Sequence, residues 1–325
     1  MSIRSIVGVN DDIGMVVVPI DTSGHHVDQQ RTCDTPNTAI TNDDGNAFQS
    51  SEPSPKRPSQ LYKYLHFPSF TIIVSVAEFA LMVWCLAVGG FVQPSLNPML
   101  GPSTQTLLEC GAKYTPLIRQ GQWWRVISAT FLHAGIVHLI GNLVTQVFFG
   151  WFLERKYGTI RYAIIYIGSG IGGILTSAIF VPTMVTVGAS GAIFGVLAIW
   201  TVDVFQDLNK SQTKCRKVTN VVALVSTIVI SLAFGLLPLV DNWAHIGGYL
   251  FGLELSLILI LKFNWDKVWK RNIRYVLLVL FILVFLGNFI GFYVLLYFGN
   301  VETYCSWCHY VNCIPYNING HDWCS

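Results

Sequence analysis

The chain has 325 residues, of which 12% are charged and 52% hydrophobic, with a mean hydropathy of +0.51 and a net charge of +2. Soluble globular proteins carry about twice that share of charge. No dense Lys/Arg face is available to neutralise phosphates, so the composition excludes a nucleic-acid binder as well as a soluble enzyme or a disordered regulator. What remains is an all-α polytopic membrane protein with a polar tail.

Residues 1–67 hold 13 of the 38 charges and are rich in Asp, Asn, Ser, Thr, Gln and Pro, with no sustained apolar period. They read as a disordered tail. The apolar patch Met15–Val18 is too brief for a signal peptide. Eight acidic residues against five basic ones do not suit a mitochondrial transit peptide.

Seven segments near the roughly 20 residues needed to cross a bilayer follow. They lie at about 70–93, 130–152, 160–181, 189–205, 219–237, 243–261 and 275–298. With the N-terminus in the cytoplasm, 15 Lys and Arg fall inside, from Lys56 to Arg274, and only Lys113, Arg119 and Arg125 fall outside. That bias predicts a cytoplasmic N-terminus and an extracellular or lumenal C-terminus. The last stretch, 299–325, then carries Cys305, Cys308, Cys313 and Cys324 into an oxidising space. Two disulfides are expected, with three connectivities open and a zinc knuckle using His309 or His321 as the rival.

Three polar sets stand at the outer ends of spans that run in the same direction. His133-Ala-Gly-Ile-Val-His138-Leu-Ile-Gly-Asn142 opens the second, Gly188-Ala189-Ser190-Gly191-Ala192 the fourth, and Asn242-Trp243-Ala244-His245-Ile246-Gly247-Gly248 the sixth. A serine, histidines and a carboxamide thus share one membrane depth, where polar groups are costly and often mark function. His133 and His138, five apart with no Glu between them, do not match a helical zinc-protease pair, and no metal or other cofactor is expected. Gly191 and Gly195 on the fourth span, and Ala244, Gly248 and Gly252 on the sixth, are rows of small residues at four-residue spacing. Such rows let helix backbones approach closely, which would bring His245 toward Ser190. The same residues also fit simple tight packing.

At these residues the chain resembles the rhomboid intramembrane serine proteases, over roughly residues 120–255. Trp124-Arg125 resembles the family's pair in the first outer loop, here about 94–129. Glu154-Arg155-Lys156-Tyr157-Gly158-Thr159-Ile160-Arg161 resembles its Glu-x-x-x-Gly-x-x-Arg stretch. Gly188-Ala189-Ser190-Gly191 matches the nucleophile motif and Ala244-His245-Ile246-Gly247-Gly248 the general-base motif. The resemblance implies a six-helix bundle over residues 68–298 with one added C-terminal span, the plan of the family's secretory-pathway members, and hence a place in the secretory pathway or plasma membrane. It implies catalysis by a dyad of Ser190 as nucleophile and His245 as general base. Asn142 and His138 would stabilise the oxyanion. It also implies that the partners are single-span membrane proteins cut near the outer end of their transmembrane segment, within the lipid bilayer. A catalytically inactive rhomboid-like binding or quality-control protein is the alternative. A transporter is a further rival, because Glu78 and Glu254 fall inside spans, although no paired broken helices accompany them.

Overall fold

The computed structural model describes residues 67–208, 213–236, 240–261, 268–299, 301–305, 307–312, 317–318 and 321–322. The expected polar tail up to residue 66, together with Cys313 and Cys324, lies outside the described residues. The chain is nearly all helical. Its long helices are α1 (Ser69–Gly89), α5 (Ile136–Tyr157), α6 (Thr159–Phe180), α7 (Ser190–Leu208), α8 (Lys214–Phe234), α9 (Asn242–Leu259) and α10 (Val268–Phe298). The loop after α1 holds three short ones, α2 (Thr104–Cys110), α3 (Thr115–Arg119) and α4 (Arg125–Ser128), and α11 (Val301–Tyr304) follows α10.

Six of these helices, all the long ones except α9, are long and apolar enough to cross a membrane, and the chain is a multi-pass membrane protein. Helix α9 sits where the sixth of seven spans is expected, but it is 18 residues long and is not in that apolar set. The reason is its surroundings. It packs against both α6 and α7, so Asn242, His245 and Ser256 are buried against protein rather than facing lipid. A helix shielded in this way has less need of apolar residues.

The start of α5 also differs from expectation, at Ile136 instead of near residue 130. The Ile136 and Val137 N–H groups donate to the Leu100 and Met99 carbonyls, at 3.0 and 3.1 Å. The Asn97 carboxamide donates to the Ala134 carbonyl at 2.8 Å. The first outer loop thus satisfies the donors that a longer helix would have used, and His133 lies in the segment before α5. Arg125 braces the same loop. Its guanidinium donates to the Leu108 and Ala112 carbonyls and to Gln122 Oε1, and lies 4.8 Å from the Trp124 ring centroid. Trp123 and Trp124 themselves remain exposed, as interfacial aromatic residues do.

Buried carboxylates on the spans have structural partners. Glu154 accepts from the Phe70 and Thr71 N–H groups, both at 2.9 Å, and from the Thr71 and Thr159 hydroxyls. It therefore caps the free N–H groups at the start of α1. Glu78, fully buried, accepts from Tyr166 and Gln146, both at 2.9 Å. Glu254 is half-buried; its Oε1 accepts from Asn288 of α10, while its Oε2 has no hydrogen-bond partner.

Glycines set the spacing of α6, α7 and α9. A Cβ placed on Gly248 would overlap the Gly191 carbonyl and lie 2.8 Å from its Cα, and one on Gly252 would meet Gly195. The expected small-residue rows of α7 and α9 therefore meet backbone to backbone. On α6, Gly173 comes against the Ala244 carbonyl and Gly172 against the Phe251 ring. Replacing Gly248 by Leu should force these helices apart, destabilising the protein by about 1–3 kcal/mol as overpacking does. Gly141→Ala is the control, because a Cβ there would have nothing within 4 Å of it. Thermal unfolding in detergent checks this, and equal melting points for the two variants would refute the close-approach account.

Candidate active site

Ser190 is the first residue of α7, placed there by the backbone before it. Gly188 has φ +135°, a region that favours glycine. Its N–H donates to the Ala129 carbonyl at 2.9 Å. A side chain at this position would also collide: a Cβ would lie 2.7 Å from His138 Cε1, 3.0 Å from His138 Nε2 and 3.6 Å from Asn142 Nδ2. Helix α5 thus delivers His138 and Asn142, one turn apart, to the strand of chain that leads into Ser190. Both Asn142 Nδ2 and His138 Nδ1 are buried without a hydrogen-bond partner. Leaving a buried donor unmet costs about 1–3 kcal/mol, so each of these groups is available to a ligand that could pair it.

His245 lies in the first turn of α9, whose start is set by Asp241. The Asp241 carboxylate accepts from the Trp243 and Ala244 N–H groups at 3.0 and 3.2 Å, as an N-cap does. The imidazole stacks on Phe194 with ring centroids 4.4 Å apart and planes 14° apart. Phe194 follows Ser190 by four residues, so both occupy the same face of α7, and the stack holds His245 beside that helix. His245 Nδ1 is 3.1 Å from Asn242 Oδ1. Its Nε2 is buried and has no hydrogen-bond partner, so no bond to Ser190 is formed in this arrangement. An accepting carboxamide oxygen at Nδ1 requires the proton there, which leaves the Nε2 lone pair free.

Of the four residues expected from sequence, Ser190 opens α7, His138 and Asn142 stand against Gly188 just before it, and His245 stacks on Phe194 one turn after it. The His133 and His138 rings meet edge to face, with centroids 5.3 Å apart and planes at 75°. Among the described residues no group of three or more His, Cys, Asp or Glu could hold a metal ion.

Three contributors lie outside the motifs read from sequence. Phe194 offered no signal beyond its i+4 spacing from Ser190. The α6 glycines were visible as Ile171-Gly172-Gly173, but their neighbours were not. The third is a polar knot at Asp241, which also accepts from Ser177, Thr186 and Asn312. Lys113 of the outer loop is fully buried nearby and donates to the Val181 and Met184 carbonyls, both at 2.9 Å. Burial pushes its ammonium down to about 8, opposed by the Asp241 charge. Burial would raise the Asp241 carboxyl, but the Lys113 charge and bonds from Ser177, Thr186 and Asn312 together hold it below its ordinary value.

The fold and site define a polytopic helical membrane protein with a serine on α7, a histidine on α9, and a histidine and a carboxamide on α5, all in the first turns of their helices or one turn further. Residues 120–262 match the Rhomboid domain. The chain is 36% identical over 240 residues to RHOMBOID-like protein 2 of Arabidopsis thaliana, covering 67% of this chain and 72% of that protein. It is 32% identical over 294 residues to RHOMBOID-like protein 1 of the same plant, covering 81% and 75%. Inactive rhomboid protein 1 of Danio rerio is 36% identical over 210 residues, which is 62% of this chain and 24% of that protein. The chain belongs to the rhomboid family.

Proposed function

We propose that the chain is an intramembrane serine endopeptidase that hydrolyses peptide bonds within or next to the transmembrane segments of single-span membrane proteins. The observation that carries this reading is the pair of unmet groups beside the helix that Ser190 opens: the Nε2 of His245, whose ring stacks on Phe194, and the Nδ2 of Asn142, set against Gly188. In the reaction, His245 Nε2 takes the Ser190 hydroxyl proton as the oxygen attacks the peptide carbonyl, and returns it to the leaving amine. The resulting acyl-enzyme is hydrolysed by water, with His245 again acting as base. The oxyanion receives hydrogen bonds from Asn142, His138 and the Ser190 backbone N–H, and the start of α7 adds a favourable dipole.

Labelling by a fluorophosphonate probe, together with cleavage of co-expressed single-span substrates, tests this reading. Both should occur in the intact chain and vanish in Ser190→Ala. The match to an inactive rhomboid makes a non-proteolytic binding protein the second reading. Stable substrate association without Ser190-dependent cleavage or labelling would favour it.

No metal takes part in the proposed chemistry, so EDTA or 1,10-phenanthroline should leave cleavage unchanged. Loss of activity on chelation, restored by zinc, would overturn the serine assignment. The proposed orientation places the N-terminus in the cytoplasm and the C-terminus outside the cell or in the lumen of the secretory pathway. Cys215, an exposed free thiol at the start of α8, would then face the cytoplasm. In a Cys33→Ser background, a membrane-impermeant maleimide should modify it only after permeabilisation. Modification in intact cells, with the protein at the cell surface, would reverse the orientation.

A further inference from the structure

The segment after α10 reaches back to the helix that carries His245. It contains the Cys305–Cys308 disulfide, which also removes those two sulfurs from the zinc-knuckle alternative. The Cys308 carbonyl accepts from the Trp243 indole N–H at 2.8 Å, and Asn312 Oδ1 accepts from the Trp243 backbone N–H at 3.2 Å. Asn312 Nδ2 donates to Asp241 Oδ1 at 2.9 Å and lies 3.3 Å from the Met184 sulfur, in the chain leading to Ser190. Cys308 and Asn312 are both buried. The short segment therefore touches the approaches to both members of the dyad.

The decisive contact is with Asn242. Its Nδ2 donates to the Val311 carbonyl of this segment at 3.0 Å and to the Leu232 carbonyl of α8 at 3.2 Å. Two carbonyls on one side leave only the NH2 end of the amide able to face them, since the reverse orientation would set oxygen against oxygen. The amide oxygen is thereby turned toward His245 Nδ1. An oxygen there can only accept, so the imidazole proton is held on Nδ1.

We propose that residues 307–312, tied back by the Cys305–Cys308 disulfide, form a positioning element for the general base. The segment orients the Asn242 carboxamide, which in turn fixes the His245 tautomer with Nε2 free to accept the Ser190 proton. Asn242 and Asn312 are positioning residues, and neither needs to touch substrate. The effect on rate rests on the protease reading above, whereas the effect on the tautomer does not.

The test uses the full chain in lipid nanodiscs, labelled with [15N]histidine, with His245 resonances assigned by their loss in His245→Gln. The wild type should show His245 protonated at Nδ1. Asn312→Ala, and the pair Cys305→Ser with Cys308→Ser, should each shift His245 toward a mixture of tautomers. On a transmembrane-segment substrate the same variants should lower kcat about tenfold with KM unchanged, as small losses of orientation do. Combined with Asn242→Ala, they should cause no further loss, because they act through the same residue. An unaltered tautomer, losses that add to those of Asn242→Ala, or a change confined to KM would each overturn the proposal. If the cysteine pair fails to fold, Asn312→Ala, which removes one side chain's bonds, decides alone. Tail-dependent tautomers in a protein without Ser190-dependent cleavage would uphold the positioning element and refute the protease reading.

Discussion

Ser190→Ala and His245→Ala should each reduce kcat for a transmembrane substrate by roughly 10⁴-fold or more, as loss of either half of a nucleophile–base pair does. The double variant should be no worse than either single one, because the two side chains act as a unit. Ser190→Ala removes one oxygen from a partly exposed position at a helix start and should leave the melting temperature nearly unchanged. His245→Ala also removes the ring stacked on Phe194, a contact worth about 0.5–1.5 kcal/mol beyond burial. A modest fall in stability is therefore expected for that variant alone. Single-turnover cleavage in nanodiscs, with thermal unfolding of the same samples, measures both. Substantial cleavage by either single variant would sink the dyad assignment.

Asn142→Ala is expected to have the next largest effect, a fall in kcat of about 10²–10³-fold with little change in KM, since an oxyanion donor acts mainly on the transition state. Its stability should move the other way. Asn142 Nδ2 is buried without a partner, and removing an unmet donor relieves a cost of about 1–3 kcal/mol. The resting protein should therefore be at least as stable as the wild type. That opposition separates a catalytic donor from a packing residue. A loss of stability with kcat intact, or a change confined to KM, would assign Asn142 to structure or substrate positioning.

Much of this protein was legible in its residues. Spans are set by the cost of leaving backbone and charge in hydrocarbon, and that constraint acts on local composition, which a window of sequence contains. The motifs at Ser190 and His245, and the small residues at four-residue spacing, were equally local. Helix α9 was harder to judge, since its environment comes from α6 and α7 rather than from its own composition. The beginning of α5 depended on donors and acceptors in a loop dozens of residues away. Glu154 could be read as part of a family motif, but its role as the cap of α1 required Phe70 and Thr71 to be brought to it.

The sequence by itself determined a helical membrane protein of the rhomboid family and named Ser190, His245, His138 and Asn142, because spacing and residue type specify which groups can share a depth. Only the tertiary structure decided what those groups face. Phe194 holds the imidazole, Gly188 admits His138 and Asn142, and Asn312 reaches Asp241 across a separation of 71 residues. The physical reason is that hydrogen-bond direction and ring stacking are set by ångström-scale contacts between segments distant in the chain, and a pattern along one segment carries no record of them.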